Sequence, residues 1–455
     1  MTVKPATERA EEAREARKTV PRSSHAAWEA SADRADPVQI LADQDAARLE
    51  WLVPVRHARM AESEFAFYRG GAAIMAADLA TTPSIGVDAQ LCGDAHLANF
   101  GSFASAERRQ VFDVNDFDET LPGPWEWDVK RLAASMVIAA RNNGFDQDAA
   151  RESARTAVVG YQEALSRFAE APALEVWYAQ LALDQLRTGL STKADRKALD
   201  KGAAKARRQN SQRALGKLTE IVDGARRIRS QPPLLIPLRD LAAQLDRDST
   251  LAGIKNNFAG YVESLPPDKR WLLGRFTIVD MALKVVGVGS VGTRCWIVLL
   301  RGRDHGEPLF LQVKEATASV LEAHLSPSQY SHAGERVVNG RRLVQASSDI
   351  FLGWSGAIDG GQYYWRQFHD MKGSADVTAM DPPGLQGYGR VCGWTLAHAH
   401  ARSGDPVAIA AYVGSDKVFP KALAEFAVAY AEQNRADFEA FQQAIADGRV
   451  AAHEV

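Results

Sequence analysis

Cysteine is scarce in this 455-residue chain, which carries only Cys92, Cys295 and Cys392. An odd, widely spaced set argues against a disulfide framework and offers no paired zinc-knuckle spacing, so a reducing compartment is the simple expectation. Long apolar runs are missing too. The best, Leu132 to Ala140, contains Ser135 and falls well short of the roughly 20 residues a membrane span needs. Charge of one sign is also lacking: 54 Lys and Arg face 57 Asp and Glu, a formal net charge of −3. No global field then drives the protein onto nucleic acid or an anionic membrane. Met1 to Lys18 is charged and alanine-rich with no apolar core, so no secretory signal reads there. The expectation is a cytoplasmic protein with no membrane partner and none among nucleic acids.

What is present is ordinary for a globular protein, 46% hydrophobic and 24% charged residues. The length suits two lobes with decorations. Residues 1–40 read as a charged extension, either helical or disordered. From 41 to 275 the pattern is mostly helical: Leu41 to Ala80, stopped at Thr81-Thr82-Pro83, then Asp128 to Asn142 and most of 146–230. Short strands interrupt it at Val87 to Cys92 and Val111 to Val114. From 276 to 372 β-branched runs alternate with glycine turns, at Ile278 to Val288, Cys295 to Leu300, Leu309 to Val313, Ile350 to Trp354 and Tyr363 to Phe368. One helical piece, Gly334 to Gln345, sits among them. Helices resume over 373–455, at Tyr388 to Arg402 and Lys421 to Ala446. No internal repeat is visible.

Two constellations carry chemistry. Gly93-Asp94-Ala95-His96-Leu97-Ala98-Asn99 follows a strand and places an Asp five positions before an Asn. That spacing suits an Asp that orients an attacking hydroxyl and an Asn oxygen that ligates magnesium. Seventeen residues later, again at a strand end, comes Asn115-Asp116-Phe117-Asp118. A second acid there supplies the hard oxygen on the other side of a phosphate-bridging cation, with Asp116 the first choice and Asp118 a possible second ligand. The structural alternative is a turn at Asp94 and Asn99 and a helix cap at the later acids.

The second constellation is Gly287-Val288-Gly289-Ser290-Val291-Gly292. A dinucleotide fingerprint opens a helix, but here a strand follows, so the pattern reads as a glycine-rich turn between antiparallel strands. Backbone amides in such a turn can approach phosphates closely. A plain hairpin with a bulge is the alternative. One strand on, Leu311-Gln312-Val313-Lys314 ends in a lysine suited to gripping nucleotide phosphates. Its orienting carboxylate is expected at Glu335, with Glu322 as the alternative. An edge-strand charge is the structural reading of Lys314.

Several long motifs resemble the bacterial domain-of-unknown-function 2252 family: Phe65 to Gly70, Leu91 to Gly101, Asp113 to Thr120, Gly123 to Asp128, Gln312 to Ala316, Asp349 to Trp354 and Ala397 to Arg402. The likeness runs from about Pro21 to Phe441. The Gly93 to Asn99 segment is also similar to the catalytic loop of aminoglycoside and choline kinases. That resemblance implies an α+β, protein-kinase-like two-lobe fold, with a small antiparallel β lobe and a large mostly helical lobe. It implies Asp94 as the catalytic aspartate, Asn99 and Asp116 as magnesium ligands, Lys314 as the nucleotide lysine, and Gly287, Gly289 and Gly292 as the lid. His96 falls where protein kinases often carry a lysine that touches the transferred phosphate; a hydrogen-bonded loop histidine is the other reading. The glycine turn and Lys314 follow the catalytic loop instead of preceding it. The helix around Gly393 to His400 resembles the one that normally runs into that loop. A circular permutation accounts for all three displacements with one cut in an exposed connection.

The implied cofactors are ATP and Mg2+, and the implied partners a nucleotide and an unidentified small-molecule or protein acceptor. Phosphoryl transfer and adenylyl transfer stay open, as does a non-catalytic nucleotide sensor or scaffold. Other features read as structural. Twelve Lys and Arg against four Asp and Glu between Lys193 and Arg229 fit a solvated helix face. His398 and His400 point to different sides of one helix. Trp125 and Trp127, read as loop residues, either frame substrate or pack beneath it, and Asp128 is expected to cap the next helix and steady the loop.

Overall fold

Period-two alternation over 277–316 builds a sheet that is covered on both faces. The computed structural model describes residues 4–189, 193–241, 247–285, 287–304, 306–356, 361–368 and 370–453. Val286, at the end of the first β-branched run, lies outside them. The strands of this six-stranded antiparallel sheet lie in the order Gly353–Ser355, Gln362–Gln367, Pro308–Ala316, Cys295–Arg301, Thr277–Lys284, Leu235–Pro237. Leu309, Leu311 and Val313 point to one face, where Tyr261 stacks on Trp365 with ring centroids 4.4 Å apart. Phe310 points to the other, against Ala214, Leu215 and Leu218 of the helix Ser211–Leu218. Gln312 and Lys314 continue that second face, so it turns from apolar to polar toward one end.

The larger hydrophobic core lies among the helices Trp125–Asn142, Gln147–Glu170, Pro382–Ser403 and Val418–Ala446. Two of them cross through glycines. A Cβ on Gly393 would sit 2.0 Å from the Ala157 carbonyl oxygen, and one on Gly160 would sit 2.4 Å from that of Arg390. No larger residue permits this approach. Two small antiparallel ladders emerge at one end of this core. Asp88–Leu91 pairs with Leu121–Pro124, and Phe100–Ala104 pairs with Gln110–Val114.

The architecture is mixed α+β with several small antiparallel sheets. Local structure refines the sequence expectation in places and corrects it at Trp125 and Trp127. The stretch 146–230 is not helical throughout: Thr219–Val222 and Ala225–Ile228 form a hairpin. Asp223-Gly224 turns it, with φ of 50° and 75°, the positive pair that a two-residue hairpin turn requires. Trp125 and Trp127 begin a helix instead of standing on a loop, and both are buried in the core, Trp125 stacked on Tyr161. The charged N-terminal stretch takes the helical alternative over Ala6–Ala16. It is docked by Arg9 on Asp405 (2.5 Å) and Arg17 on the Tyr412 carbonyl (2.9 Å). Among the described residues no helix is long and apolar enough to cross a membrane.

Candidate active site

The strand Asp88–Leu91 runs into Gly93, whose φ is +82° and whose absent Cβ would meet the Glu119 carbonyl at 2.3 Å. Asp128 fixes this corner. Its carboxylate accepts from the amides of Cys92 (2.7 Å) and Gly93 (3.1 Å), and His400 lies 3.5 Å behind it. Asp128 is thus the fourth residue of the helix Trp125–Asn142 and holds the preceding loop; it does not cap its own helix. His398 bonds the Val176 carbonyl (3.0 Å) on another side.

Asp94 is held by Arg131 from the same helix, Nε at 2.8 Å and Nη2 at 2.6 Å from Oδ1. Burial works against the Arg131 charge, but Asp94 and Tyr68 outweigh it and push its pKa up. The guanidinium also lies 4.1 Å over the Tyr68 ring. Oδ2 of Asp94 remains 20% exposed with its side chain and faces the cleft edge near His96 Nε2, 3.6 Å away. His96 Nδ1 accepts from the Ala98 amide (3.2 Å), which leaves the proton on Nε2. Burial holds the imidazole pKa down to about 4, so His96 is neutral near pH 7 and does not supply a lysine-like charge. Asn99 donates through Nδ2 to the Asp94 carbonyl (2.8 Å). Among the described residues no hydrogen bond to its Oδ1 is formed, which leaves that oxygen able to act as a ligand.

The second acid-bearing loop is tied to the first by the Asn115 amide, which donates to the Asn99 carbonyl (2.7 Å). Lys314 reaches this loop from an interior strand, paired on both sides, and is 2% exposed; the edge-strand reading does not apply. Its ammonium lies 3.3 Å from Asp116 Oδ1 and closer still to Asp118 Oδ2, while Tyr364 donates to Asp118 Oδ1 (2.6 Å). Burial raises the Asp116 pKa, but Lys314, Arg366 and Lys372 together outweigh it and hold the carboxyl below the usual carboxylate range.

The orienting carboxylate of Lys314 is therefore neither Glu335 nor Glu322. Glu335 begins the helix Ala333–Val344 half-buried and makes no ion pair with Lys314. Glu322 caps Ser319 and lies 3.8 Å from Arg336. What the helix sends to the site is Arg336, which donates to the carbonyls of Thr120 (2.6 Å), Asp118 (2.8 Å) and Thr317 (2.9 Å). It clamps the acid loop through backbone, not through charge pairing.

The glycine turn lies between the antiparallel strands Thr277–Lys284 and Cys295–Arg301. Arg59 donates to the Gly287 carbonyl (2.6 Å) and Arg48 to that of Val291 (2.7 Å). A Cβ on Gly289 would lie 3.3 Å from the Arg69 carbonyl, and one on Gly292 would lie 3.0 Å from Arg48. The N-terminal helices thus grip the turn from outside. Gly287 and Gly289 share a cavity of about 280 Å3 with Asp94, His96, Asn99, Asp116 and Asp118. Gly292 packs on Arg48, and Lys314 enters a neighbouring cavity that also contains Asp116 and Gly287.

Sequence reasoning missed Arg131, Arg336 and Tyr364. Arg131 had a signal: it lies three positions after Asp128, hence on the same helical face, at the head of an apolar run where charge is costly. Tyr364 and Arg336 had none beyond strand and helix phase. Among the described residues no cluster of three or more His, Cys, Asp or Glu side chains forms a metal cage. Magnesium does not require one, because it keeps water and takes phosphate oxygens alongside one or two carboxylates. Asn99 Oδ1 and the Asp116 carboxylate fit that demand as hard oxygen donors.

Asp113, on the strand leading to this loop, is 6% exposed. Burial pushes its pKa up to about 7, against weaker help to the anion from the Val114 amide and from Arg402 and Arg341. Folding therefore favours its protonated form. Stability from this group is complete below about pH 4, is lost as pH rises toward 7, and stays lost above it. Asp113→Asn is expected to gain on the order of 2 kcal/mol over the parent at pH 8 and almost nothing at pH 4. Thermal melts across that range test this; parallel pH curves for the two proteins would refute it.

Residues 48–444 match the model of a family described as uncharacterized proteins conserved in bacteria, DUF2252. No curated protein matches the chain, and no solved structure does. With the match spanning most of its length, from Arg48 in the grip on the glycine turn to Ala444 in the last helix, the protein belongs to the DUF2252 family.

Proposed function

We propose that the protein is an ATP- and magnesium-dependent, kinase-like phosphotransferase. It moves a phosphorus-containing group from the nucleotide to a hydroxyl of a small molecule or a protein. The two lobes of a kinase-like fold are encoded in swapped order. The observation that carries this reading is convergence: Asp94, Asn99, Asp116 and the glycine turn, spread over nearly two hundred residues, line one cavity, and Lys314 touches Asp116. A scaffold has no chemical need for that combination.

In this reading Asn99 and Asp116 hold magnesium, which supplies neutralisation of phosphate charge. Asp94, fixed by Arg131 and flanked by His96 Nε2–H, accepts the proton of the acceptor hydroxyl. Lys314 and the amides of the glycine turn position the phosphates, and positioning provides most of the catalysis in such transfers. The permuted order is supported by the sheet that carries Lys314 and by the helix Pro382–Ser403. Through His400 and Asp128 that helix backs the loop bearing Asp94.

Thermal shift with ATP, with and without magnesium, is the first test, followed by transfer of label from ATP in bacterial extract. Magnesium-dependent stabilisation and labelled product are expected. Binding without transfer would leave a nucleotide sensor, and absence of binding would end the nucleotide reading.

A further inference from the structure

Beyond Asp116, on the side away from Asp94, lies a second cavity of about 270 Å3. It shares Asp116, Gly287 and Ser290 with the first, so the two are ends of one cleft. Their charges differ. The first end is mostly acidic, with Asp43, Asp94, Asp116, Asp118, Glu119 and Glu315 against Arg48 and Arg69. The second carries Lys314, Arg341, Arg366 and Lys372.

Among the described residues only one of these four cations meets a carboxylate. Lys314 meets Asp116 and Asp118. Arg341 is 6% exposed and donates to the Gln345 side-chain oxygen (2.8 Å). Arg366 donates to Gln312 Oε1 (2.8 Å) and the Asn115 carbonyl (3.2 Å). Lys372, half-buried, has neither a hydrogen bond nor an ion pair within the described residues. The two other acids of this wall are engaged elsewhere. Asp349 accepts from the amides of Phe351 (2.8 Å) and Gln367, and Asp370 pairs with Arg108 (2.5 Å). One more donor is unspent: Asn115 Nδ2 has no partner, on a side chain 6% exposed.

Three buried or half-buried cations and an idle amide donor make a poor seat for an uncharged purine, which would desolvate them without any counter-charge. They make a good seat for phosphate oxygens, which accept charge-assisted and bidentate hydrogen bonds. Mutual repulsion in the free protein agrees. Burial, then Arg366, pushes the Lys372 pKa down to about 7, and burial followed by Arg366 lowers that of Arg341.

We propose that the chamber formed by Arg341, Arg366, Lys372 and Asn115 takes the β- and γ-phosphates of ATP, so that the α-phosphate faces Asp94 and the group transferred is AMP. This rests on the nucleotide reading above and chooses between its two chemistries. The acceptor oxygen bonds to the α-phosphorus while the bond from that phosphorus to the bridging oxygen breaks. Pyrophosphate departs with the electron pair into the cationic chamber, and the hydroxyl proton passes to the Asp94 carboxylate.

The test is calorimetric titration of the full chain, in magnesium, with ATP, AMP and inorganic tripolyphosphate. Tripolyphosphate is expected to bind and to compete with ATP. Lys372→Gln is expected to weaken both by tenfold or more and to leave AMP affinity within twofold; Arg366→Gln, on the strand Gln362–Gln367 and not on the loop that carries Lys372, gives a second reading should the first variant misfold. In the labelling experiment the α-phosphate label, not the γ-label, is expected on the product. Tripolyphosphate that fails to bind while ATP binds, AMP affinity falling as far as that of ATP, or γ-label on the product would each overturn the orientation and spare the nucleotide reading. If neither ATP nor tripolyphosphate binds the parent protein, both fall together.

Discussion

Asp94→Asn is expected to lower turnover by about a thousandfold, within the range of losses seen when a positioned general base is removed. ATP binding should survive within a few-fold, since Asp94 faces the acceptor and not the bulk of the phosphates. The variant should also lose on the order of 1–3 kcal/mol of stability, because the buried Arg131 guanidinium exchanges a carboxylate for an amide. Arg131→Met separates the two effects. It removes the cation that orients Asp94 but keeps the carboxylate, so its turnover should fall less than that of Asp94→Asn. The double variant should be more stable than Asp94→Asn alone, since no buried charge is left unpaired. Full turnover in Asp94→Asn, measured as label transfer with the protein still folded, would remove Asp94 from the mechanism.

Lys314→Met should produce a loss of similar size by a different route. Among the described residues Lys314 is the one side-chain cation touching both Asp116 and Asp118. Without it two half-buried carboxylates remain close together, with Tyr364 bonded to one of them. Breaking such a half-buried pair costs about 1–3 kcal/mol, and in the proposed reading the phosphates lose their positioning cation. Magnesium should stabilise the variant more than the parent when no nucleotide is present, because the carboxylates are no longer occupied by an ammonium group. Melts in magnesium chloride without ATP read this directly. Equal shifts for parent and variant would mean that Asp116 and Asp118 do not bind the ion.

The parts of this site that could be read from the chain are those written locally. Asp94 and Asn99 share one loop, so their spacing carries the geometry. The glycine turn is bracketed by period-two runs that could only be strands. Lys314 lies in such a run, and its alternation with Leu311 and Val313 sets it on the other face of the sheet.

Partners defined by phase or by long-range packing were not legible. Glu335 and Arg336 are neighbours in sequence but project about 100° apart on a helix, and the residue that reaches the acid loop is the arginine. Trp125 and Trp127 follow Pro122-Gly123-Pro124, which suggested a loop, yet burial against Tyr161 takes them into a helix. The hairpin at Asp223-Gly224 sits in a region whose alanine, arginine and leucine content favours helix, and two-residue turn chemistry overrides it. The cationic chamber draws on Asn115, Arg341, Arg366 and Lys372, which come from separate elements and share no spacing.

The buttress of Asp94 has a consequence for how the molecule is made. Cys92 and Gly93 are held by Asp128, which is backed by His400 on the helix that crosses Gln147–Glu170 through Gly160 and Gly393. A ribosome finishes the loop at residue 94 long before it reaches that helix, a wait of tens of seconds at about 5–20 residues per second. Throughout that interval the corner lacks its His400 backing and the Tyr161 side of its scaffold is bare. Chains terminated before Pro382 would therefore emerge without the backing of the corner at Gly93 and prone to aggregate.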